Sequence, residues 1–316
     1  MSREPGTPTL DQLRVFLAVT DSGSFAGAAR KLGRATSVVS YAIANLEGQL
    51  GVSLFDRDST RKPRLTEAGR AVLLEARTVA GGIDSLRAKV RGMQQGLEAE
   101  VHLVIDVMLP AVRVADALKA FLVEFPSVPL HLHVEALGAV AQMVLTGGAI
   151  IGVSGPLPGD AGMAGIERIG VGTVELVPVA APDHPLAKAQ SAAPGLARSQ
   201  IQLVLSDRSP LTGGMDFAVV ATHTWRLADL GAKHTLLREG IGWGNMPLPL
   251  IEQDLRDGRL VRLALPDAQE RQYRFDAIYR SDAPPGPAGD WLIRRFRAQA
   301  AELPDLATQD REDTGG

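Results

Sequence analysis

Thr36, Ser37, Ser40 and Tyr41 place four hydroxyl groups on the outer side of one predicted helix start, while Val39, Ile43 and Leu46 repeat at core spacing on the other side. Short polar side chains at the amino end of a helix can enter the major groove of duplex DNA and reach base edges. Arg34, Arg57, Arg61 and Lys62 are near in the chain and carry the charge to neutralise phosphates, a contact that orients a protein on DNA without reading its sequence. Tyr41 can touch a phosphate or a thymine methyl, but it lacks the two-pronged donor with which arginine grips guanine.

That chemistry needs a rigid support, and residues 24–46 supply the pattern of one. Ala29 is small enough for two helices to cross closely, Gly33 permits the turn, and Val39 packs the second helix onto the first. Upstream, Thr9 with Gln12 forms a capping box, and Leu13, Phe16, Leu17 and Thr20 follow at helical spacing. Asp21-Ser22-Gly23 ends that helix, and Ser24 caps the next over residues 25–32. Thr36 or Ser37 is expected to cap a third helix that runs to about Leu50, where Gly51 stops it. Residues 54–57 and 64–66 read as short strands around a basic wing. A winged helix-turn-helix over residues 8–66 is expected.

From Thr66 onward Val72, Ala76, Val79, Ile83, Leu86, Val90, Met93 and Leu97 alternate four and three residues apart. This heptad seam predicts a helix of roughly 45 Å that packs against a partner or against its own body. Beyond it the pattern becomes strands and helices in alternation. Strands are predicted at 101–107, 130–135, 149–153, 175–180, 200–205, 217–222, 260–265 and 275–280. Helices are predicted at 110–125, 138–146, 228–240, 247–258 and 291–301. In the first of these Ala111, Val114, Leu118, Phe121, Leu122 and Phe125 form the apolar face. The opening β-α-β-α-β run argues for a largely parallel sheet. Residues 187–200 read as a connection and 304–316 as a disordered tail.

Charge divides the same way. The net charge is −3, but residues 1–95 hold 14 Lys/Arg against 9 Asp/Glu, whereas the other 221 residues hold 19 against 27. A basic head on an acidic body is the balance expected of a DNA binder. With no cysteine the chain has no disulfide, thiolate metal site or thiol nucleophile. His131 and His133 share a strand face but have no third ligand close in sequence, so they read as structural or surface histidines. The glycines of 240–244 lack the Lys-Ser/Thr of a phosphate loop, and no nucleophile elbow occurs. No apolar run approaches the ~20 residues of a membrane span, and residues 1–10 lack a basic start and apolar core. No enzyme activity, cofactor, metal or membrane partner is expected, and the location expected is cytoplasmic, on the nucleoid.

Residues 10–71, including DQLRVFLAVTDSGSFAGAARKL, SYAIANLEGQLGVSLFDR and RLTEAGRAVL, resemble the amino-terminal domain of LysR-type transcriptional regulators. The chain departs from many members at Thr36-Ser37, where they have Gln-Pro, and at Tyr41, where they have a basic residue. The resemblance implies a linker helix over 67–97 that pairs antiparallel with a second copy through Val72, Ala76, Val79, Ile83, Leu86 and Val90. It also implies a periplasmic-binding-protein-like effector domain over 98–303, with one lobe at about 98–177 and 268–303 and the other at about 178–267. EGIGWGNMP and GRLVRL fit that domain, and hinges are expected near 177–182 and 265–272.

In such a fold a ligand lies at strand carboxyl ends, facing helix amino termini. That points to Val107, Met108, Ser154, Ser206, Asp207 and Arg208. Because Met108 cannot donate a hydrogen bond and Asp106 is close by, a less acidic or more apolar effector is expected. The function implied is sequence-specific promoter binding modulated by that effector, with a homodimer or homotetramer on double-stranded DNA, and RNA polymerase as partner if the protein activates. The alternative is a cytosolic small-molecule-binding or enzymatic α/β domain with a vestigial helix-turn-helix.

Overall fold

A computed structural model describes residues 6–56, 63–94, 96–156, 163–189, 195–213 and 215–302. The chain divides into two compact units, Met1–Arg91 and Gly92–Gly316. Among the described residues no helix is long and apolar enough to cross a membrane.

The first unit begins with α1 (Leu10–Ser22), whose Thr9–Gln12 capping box forms as expected. Gly23 ends it at φ 63°, a left-handed conformation that glycine adopts without strain. Ser24 accepts from Gly27 N–H and starts α2 (Phe25–Leu32), and Gly33 turns the chain at φ 64° into α3 (Thr36–Leu50). The cap of α3 differs from expectation: Ala35 holds that position without a side-chain bond, so Thr36 and Ser37 are already inside the helix. In α1 the buried residues are Val15, Phe16, Ala18 and Val19, whereas Leu13 and Leu17 lie at the margin, because α2 and α3 cover two sides of the helix.

The expected wing strands shrink to a single bridge, Phe55 to Leu65, flanked by Asp56 N–H on Arg64 O at 2.8 Å and Thr66 N–H on Leu54 O at 3.0 Å. The Glu47 carboxylate accepts from Leu54 N–H at 2.6 Å and Phe55 N–H at 3.2 Å, fixing the ribbon to α3. Then α4 (Glu67–Gln94) rises for 28 residues, about 42 Å. Its seam serves two purposes. Val72 and Ala76 pack into the core of their own head, correcting their expected place in a dimer contact, whereas Val79, Leu86, Val90 and Met93 are exposed. Leu97 lies beyond the helix, turned back by Gly96 so that its N–H bonds Gly92 O at 3.0 Å.

The second unit contains β1 (Val101–Asp106), α5 (Ala111–Glu124), β2 (Leu130–Glu135), α6 (Gly138–Leu145), β3 (Ile151–Ser154) and β4 (Ile166–Ala180). After these come α7 (Pro185–Lys188), α8 (Leu196–Ser199), β5 (Gln202–Leu205), β6 (Thr224–Leu227), α9 (Leu230–Arg238), β7 (Gly244–Pro247), α10 (Leu248–Arg256), β8 (Val261–Arg262), β9 (Arg271–Arg280) and α11 (Pro287–Glu302). The main sheet runs β2-β1-β3-β9-β4-β7, with β8 also on β4, and β5-β6 form a small parallel pair. The parallel trio β2-β1-β3 confirms the opening β-α-β-α-β reading. β4 and β9 pair antiparallel from Ile166–Arg280 to Leu176–Arg271, and the far end of β4 then carries β7 and β8. These two strands join the parallel trio to the second half of the domain.

Several predicted elements move. Residues 217–222 form no strand; the Gln202 side chain holds that loop, donating to Ala218 O at 2.7 Å and accepting from Val220 and Ala221 N–H at 2.9 and 3.1 Å. β4 starts nine residues before the predicted 175, β7 was not predicted, and the strand predicted at 260–265 contracts to β8. On α5, Ala111 and Leu122 face outward while Arg113 and Ala117 are buried. Residues 303–316, including the predicted tail, and 190–194 of the predicted connection lie outside the described residues.

Gly69 marks where the wing and α4 meet, since a methyl group there would collide with the Leu54 carbonyl. Gly69→Ala should destabilise the head by about 1–3 kcal/mol. Gly81→Ala, with open space around it, should instead stabilise α4 by about 0.5–1 kcal/mol. Urea denaturation of both variants checks the opposite signs.

Candidate DNA interface and ligand cleft

Thr36, Ser37, Ser40 and Tyr41 are all exposed, Tyr41 at 69%, and their hydroxyls have no hydrogen-bond partner among the described residues. The backbone-only cap at Ala35 leaves the two leading hydroxyls free. Val38 is also exposed and lies three residues before Tyr41, adding an apolar group to the face. Its spacing from Tyr41 was the available signal. The Arg34 guanidinium is held by both oxygens of Asp11 at 2.7 and 2.8 Å. This bond keeps the Asp11 carboxyl below the usual carboxylate range and makes Arg34 an anchored cation rather than a free one. Arg57, Arg61 and Lys62 lie outside the described residues.

The predicted cleft residues separate into different roles. Met108 lines two cavities, and Val107 lines the one that contains Leu109, Pro110, Leu230 and Pro247, of about 240 Å³. Ser206 and Asp207 line a larger one of about 380 Å³ together with Ser209, Thr212, Phe217 and Arg226. Ser154 lines none of these cavities: it is fully buried and its Oγ donates to Gly155 O at 3.1 Å, because β3 carries it into the sheet interior. Arg208 is exposed and lines none of these cavities.

Asp207 acts within the protein, accepting from Ala139 N–H in the first turn of α6 at 2.9 Å and from Thr212 Oγ1 at 2.5 Å. A carboxylate at a helix amino terminus is where an anion is most stable. Asp106 likewise does not face a ligand. It is fully buried, accepting from Met108 N–H at 2.8 Å and Tyr273 Oη at 2.9 Å. Burial pushes its carboxyl up to about 6, against the pull of those hydrogen bonds.

The smallest cavity, about 50 Å³, shares Leu137, Val204, Leu205 and Phe217 with the larger one and ends on Gln202, Lys233, Asn245, Arg271 and Tyr273. Lys233 is 3% exposed, and its Nζ donates to Asn245 O at 2.8 Å. Neither Lys233 nor Arg271 has a carboxylate within ion-pair distance among the described residues, whereas Arg226 is bound by Asp216 at 2.5 Å. Burial pushes the Lys233 ammonium down to about 7, and Arg271 adds to the effect. Sequence analysis missed this pair. The signal was a lysine between Leu230 and Leu237 on the buried stripe of α9.

Two family descriptions match the chain, "Bacterial regulatory helix-turn-helix protein, lysR family" over residues 10–70 and "LysR substrate binding domain" over residues 94–301. The chain is similar to the HTH-type transcriptional activator AllS of Klebsiella pneumoniae, 31% identical over 264 residues that cover 79% of this chain and 93% of AllS. It is 28% identical over 292 residues to the probable HTH-type transcriptional regulator YhaJ of Escherichia coli strain K12, covering 91% and 95% of the two chains. A cysteine-to-serine variant of Corynebacterium glutamicum OxyR with bound hydrogen peroxide shares the fold at TM-score 0.53 and 24% identity, covering 94% and 96%.

The buried ammonium gives the second unit a definite pH response. Folded, Lys233 titrates near 7 rather than the ordinary 10.5, so between those values the unfolded chain binds more protons and stability rises with pH. Urea denaturation between pH 7 and 10 should show that rise in the wild type and a smaller one in Lys233→Met.

Proposed function

Since the chain belongs to the LysR family of transcriptional regulators, we propose that its head reads a two-fold-related promoter site as one of a pair, and that its second domain governs that pairing by holding a small anionic effector against Lys233 and Arg271. Promoter binding, an effector-binding domain and oligomer formation are properties of the family. The DNA-reading face is assigned to Thr36, Ser37, Ser40 and Tyr41, with Val38 beside them. Arg34 supports that face from its place on Asp11, and Arg57, Arg61 and Lys62 supply phosphate contacts from the wing. Val79, Leu86, Val90 and Met93 form the apolar stripe through which α4 pairs with a second copy, since an exposed heptad seam gains stability only by being covered. AllS of Klebsiella pneumoniae is named an activator, which supports a role in which the bound dimer or tetramer presents the promoter to RNA polymerase. The location that fits this work is the cytoplasm, on the nucleoid.

One observation carries the effector assignment: among the described residues, Lys233 and Arg271 are the cations lining these cavities that have no carboxylate at ion-pair distance. An unpaired buried cation is costly, and a bound anion removes that cost. This replaces the expectation of a less acidic effector, because Asp106 is turned away from the cleft and bonded to Tyr273. The small end accepts a carboxylate-sized group and the larger compartment a polar body beside Ser206, Ser209 and Thr212. A ligand bridging Met108 and Leu137 to Lys233 and Phe217 favours one closure of the domain over another, which is how binding reaches the heads.

Footprinting on the promoter upstream of the chain's own gene should show two related half-sites whose protection weakens as salt rises. Ser40→Ala with Tyr41→Ala should lower specific affinity by about 1–3 kcal/mol, and Leu86→Glu with Val90→Glu should yield monomers by light scattering. Absence of protection at any salt concentration overturns the DNA reading.

For the effector, hydroxylated monocarboxylates and their neutral amides can be compared by calorimetry on the full chain. Acids should bind at least tenfold tighter than their amides, and Lys233→Met and Arg271→Gln should abolish that preference. Amides that bind as well as acids overturn the charge assignment alone. Failure of both series to bind overturns this cleft as the effector site.

A further inference from the structure

Half of the chain's six histidines stand together on β1 and β2, the parallel pair that ends the main sheet. The register sets His102 directly beside His131, so both side chains leave the same face of the sheet. Their rings stack with centroids 4.4 Å apart and planes 14° from parallel, and His133 lies parallel farther out, 6.2 Å from His102. Glu100, just ahead of β1, divides its carboxylate between the pair: Oε1 is 3.3 Å from His102 Nε2 and Oε2 is 3.3 Å from His131 Nε2. All three ligand atoms lie within 4.8 Å of one another, and no other group of three does so among the described residues.

Two imidazoles stacked this closely cannot both be charged without repulsion. Both Nε2 atoms face the same carboxylate, and a metal ion entering between them replaces the protons they share with it, so that each neutral ring turns a lone pair to the ion. A tetrahedral zinc ion with bonds of 2.0–2.1 Å spaces its ligand atoms about 3.3 Å apart. The two nitrogen-to-oxygen separations have that value, each to a different carboxylate oxygen, and with all three ligand atoms within 4.8 Å of one another small side-chain rotations bring them onto one ion. Two imidazoles and one carboxylate suit a borderline divalent ion rather than magnesium or calcium, which prefer oxygen ligands throughout. The chain has no cysteine to compete for such an ion.

We propose that Glu100, His102 and His131 form a zinc-binding site on the face of β1 and β2, with a fourth coordination position open to water. It lies at the amino end of β1, with His102 about 13 Å along the strand from Asp106, and is independent of the effector site. The ion ties the edge strand β2, which has one neighbour in the sheet, to β1. By sequence alone His131 pairs with His133, with no third ligand close by, and no metal is expected. The ligands come instead from across the strand register, which places residues about 30 positions apart side by side.

The test is calorimetric titration of the metal-stripped full chain with zinc chloride, with thermal denaturation in parallel. One zinc per chain should bind and raise the melting temperature, because the ion is held by the folded state. His102→Ala and His131→Ala should each weaken binding at least tenfold and remove the thermal shift, Glu100→Gln should weaken it less, and His133→Ala should leave it intact. Excess magnesium should not displace the zinc. Glu100 and His131 are exposed and His102 and His133 half-buried, and none of the four belongs to the buried core. No heat and no thermal shift at excess zinc, or binding undiminished in the His102→Ala, His131→Ala double variant, overturns the proposal.

Discussion

The antiparallel ladder between β4 and β9 is the constraint on which the second domain depends. The chain leaves the parallel trio through β4, builds the second half, and returns through β9, so these strands carry every element on either side. Their partners are separated by about a hundred positions in sequence, and buried backbone groups on both strands stay unpaired until the ladder closes. The Tyr273 hydroxyl on β9 then bonds Asp106 at the end of β1, fastening the ladder to the trio beside the cleft floor. The residue that binds the fold together therefore also lines the small cavity, so packing and ligand geometry cannot vary independently there.

The helices of the head were readable almost to the residue because their signals are local. Thr9 with Gln12, Ser24, Gly33 and Gly51 each act within one turn of the backbone they control. β2 was equally readable, and the parallel trio followed from alternation. The first half of β4 was not: Ile166–Glu175 is interrupted by Gly170 and Gly172, with a register shift between them, and it is a strand because β9 meets it. The loop over 217–222 imitates a strand in composition, but the single amide of Gln202 supplies the bonds that a neighbouring strand would give. Of the residues that line the cavities, Met108, Ser206 and Asp207 follow strand ends, a position readable from sequence. Lys233 and Arg271 were not, since no spacing rule shows that a lysine on a buried stripe lacks an acid.

Several residues picked for function turned out to be satisfied within the fold. Ser154 donates to Gly155 O, Arg34 is gripped by Asp11, Asp207 caps α6, and Ala76 fills the core of the head. Each was chosen by residue type and position, and type alone cannot distinguish a group that the protein has already paired from one that it has left open. The bonds of Asp207 matter further, because they place a built-in anion at the amino terminus of α6, the point where a ligand anion would otherwise be most stable.

What the fold leaves unmet is a stronger guide. Among the described residues the hydroxyls at the start of α3 have no partner, because Ala35 caps the helix through its backbone. The exposed half of the α4 seam has no cover, and Lys233 has a carbonyl but no counter-charge. These are three different deficits: hydrogen-bonding capacity, apolar surface and charge. Each calls for a different class of partner, which is why the function proposed pairs the first with base edges, the next with a second α4 and the last with an anion. Asp207 already occupies the α6 terminus, and the positive charge lining the cavities that has no carboxylate at ion-pair distance among the described residues is that of Lys233 and Arg271. The charge of the domain's cavities is thus unevenly divided, a bonded carboxylate in the larger and two cations in the smaller.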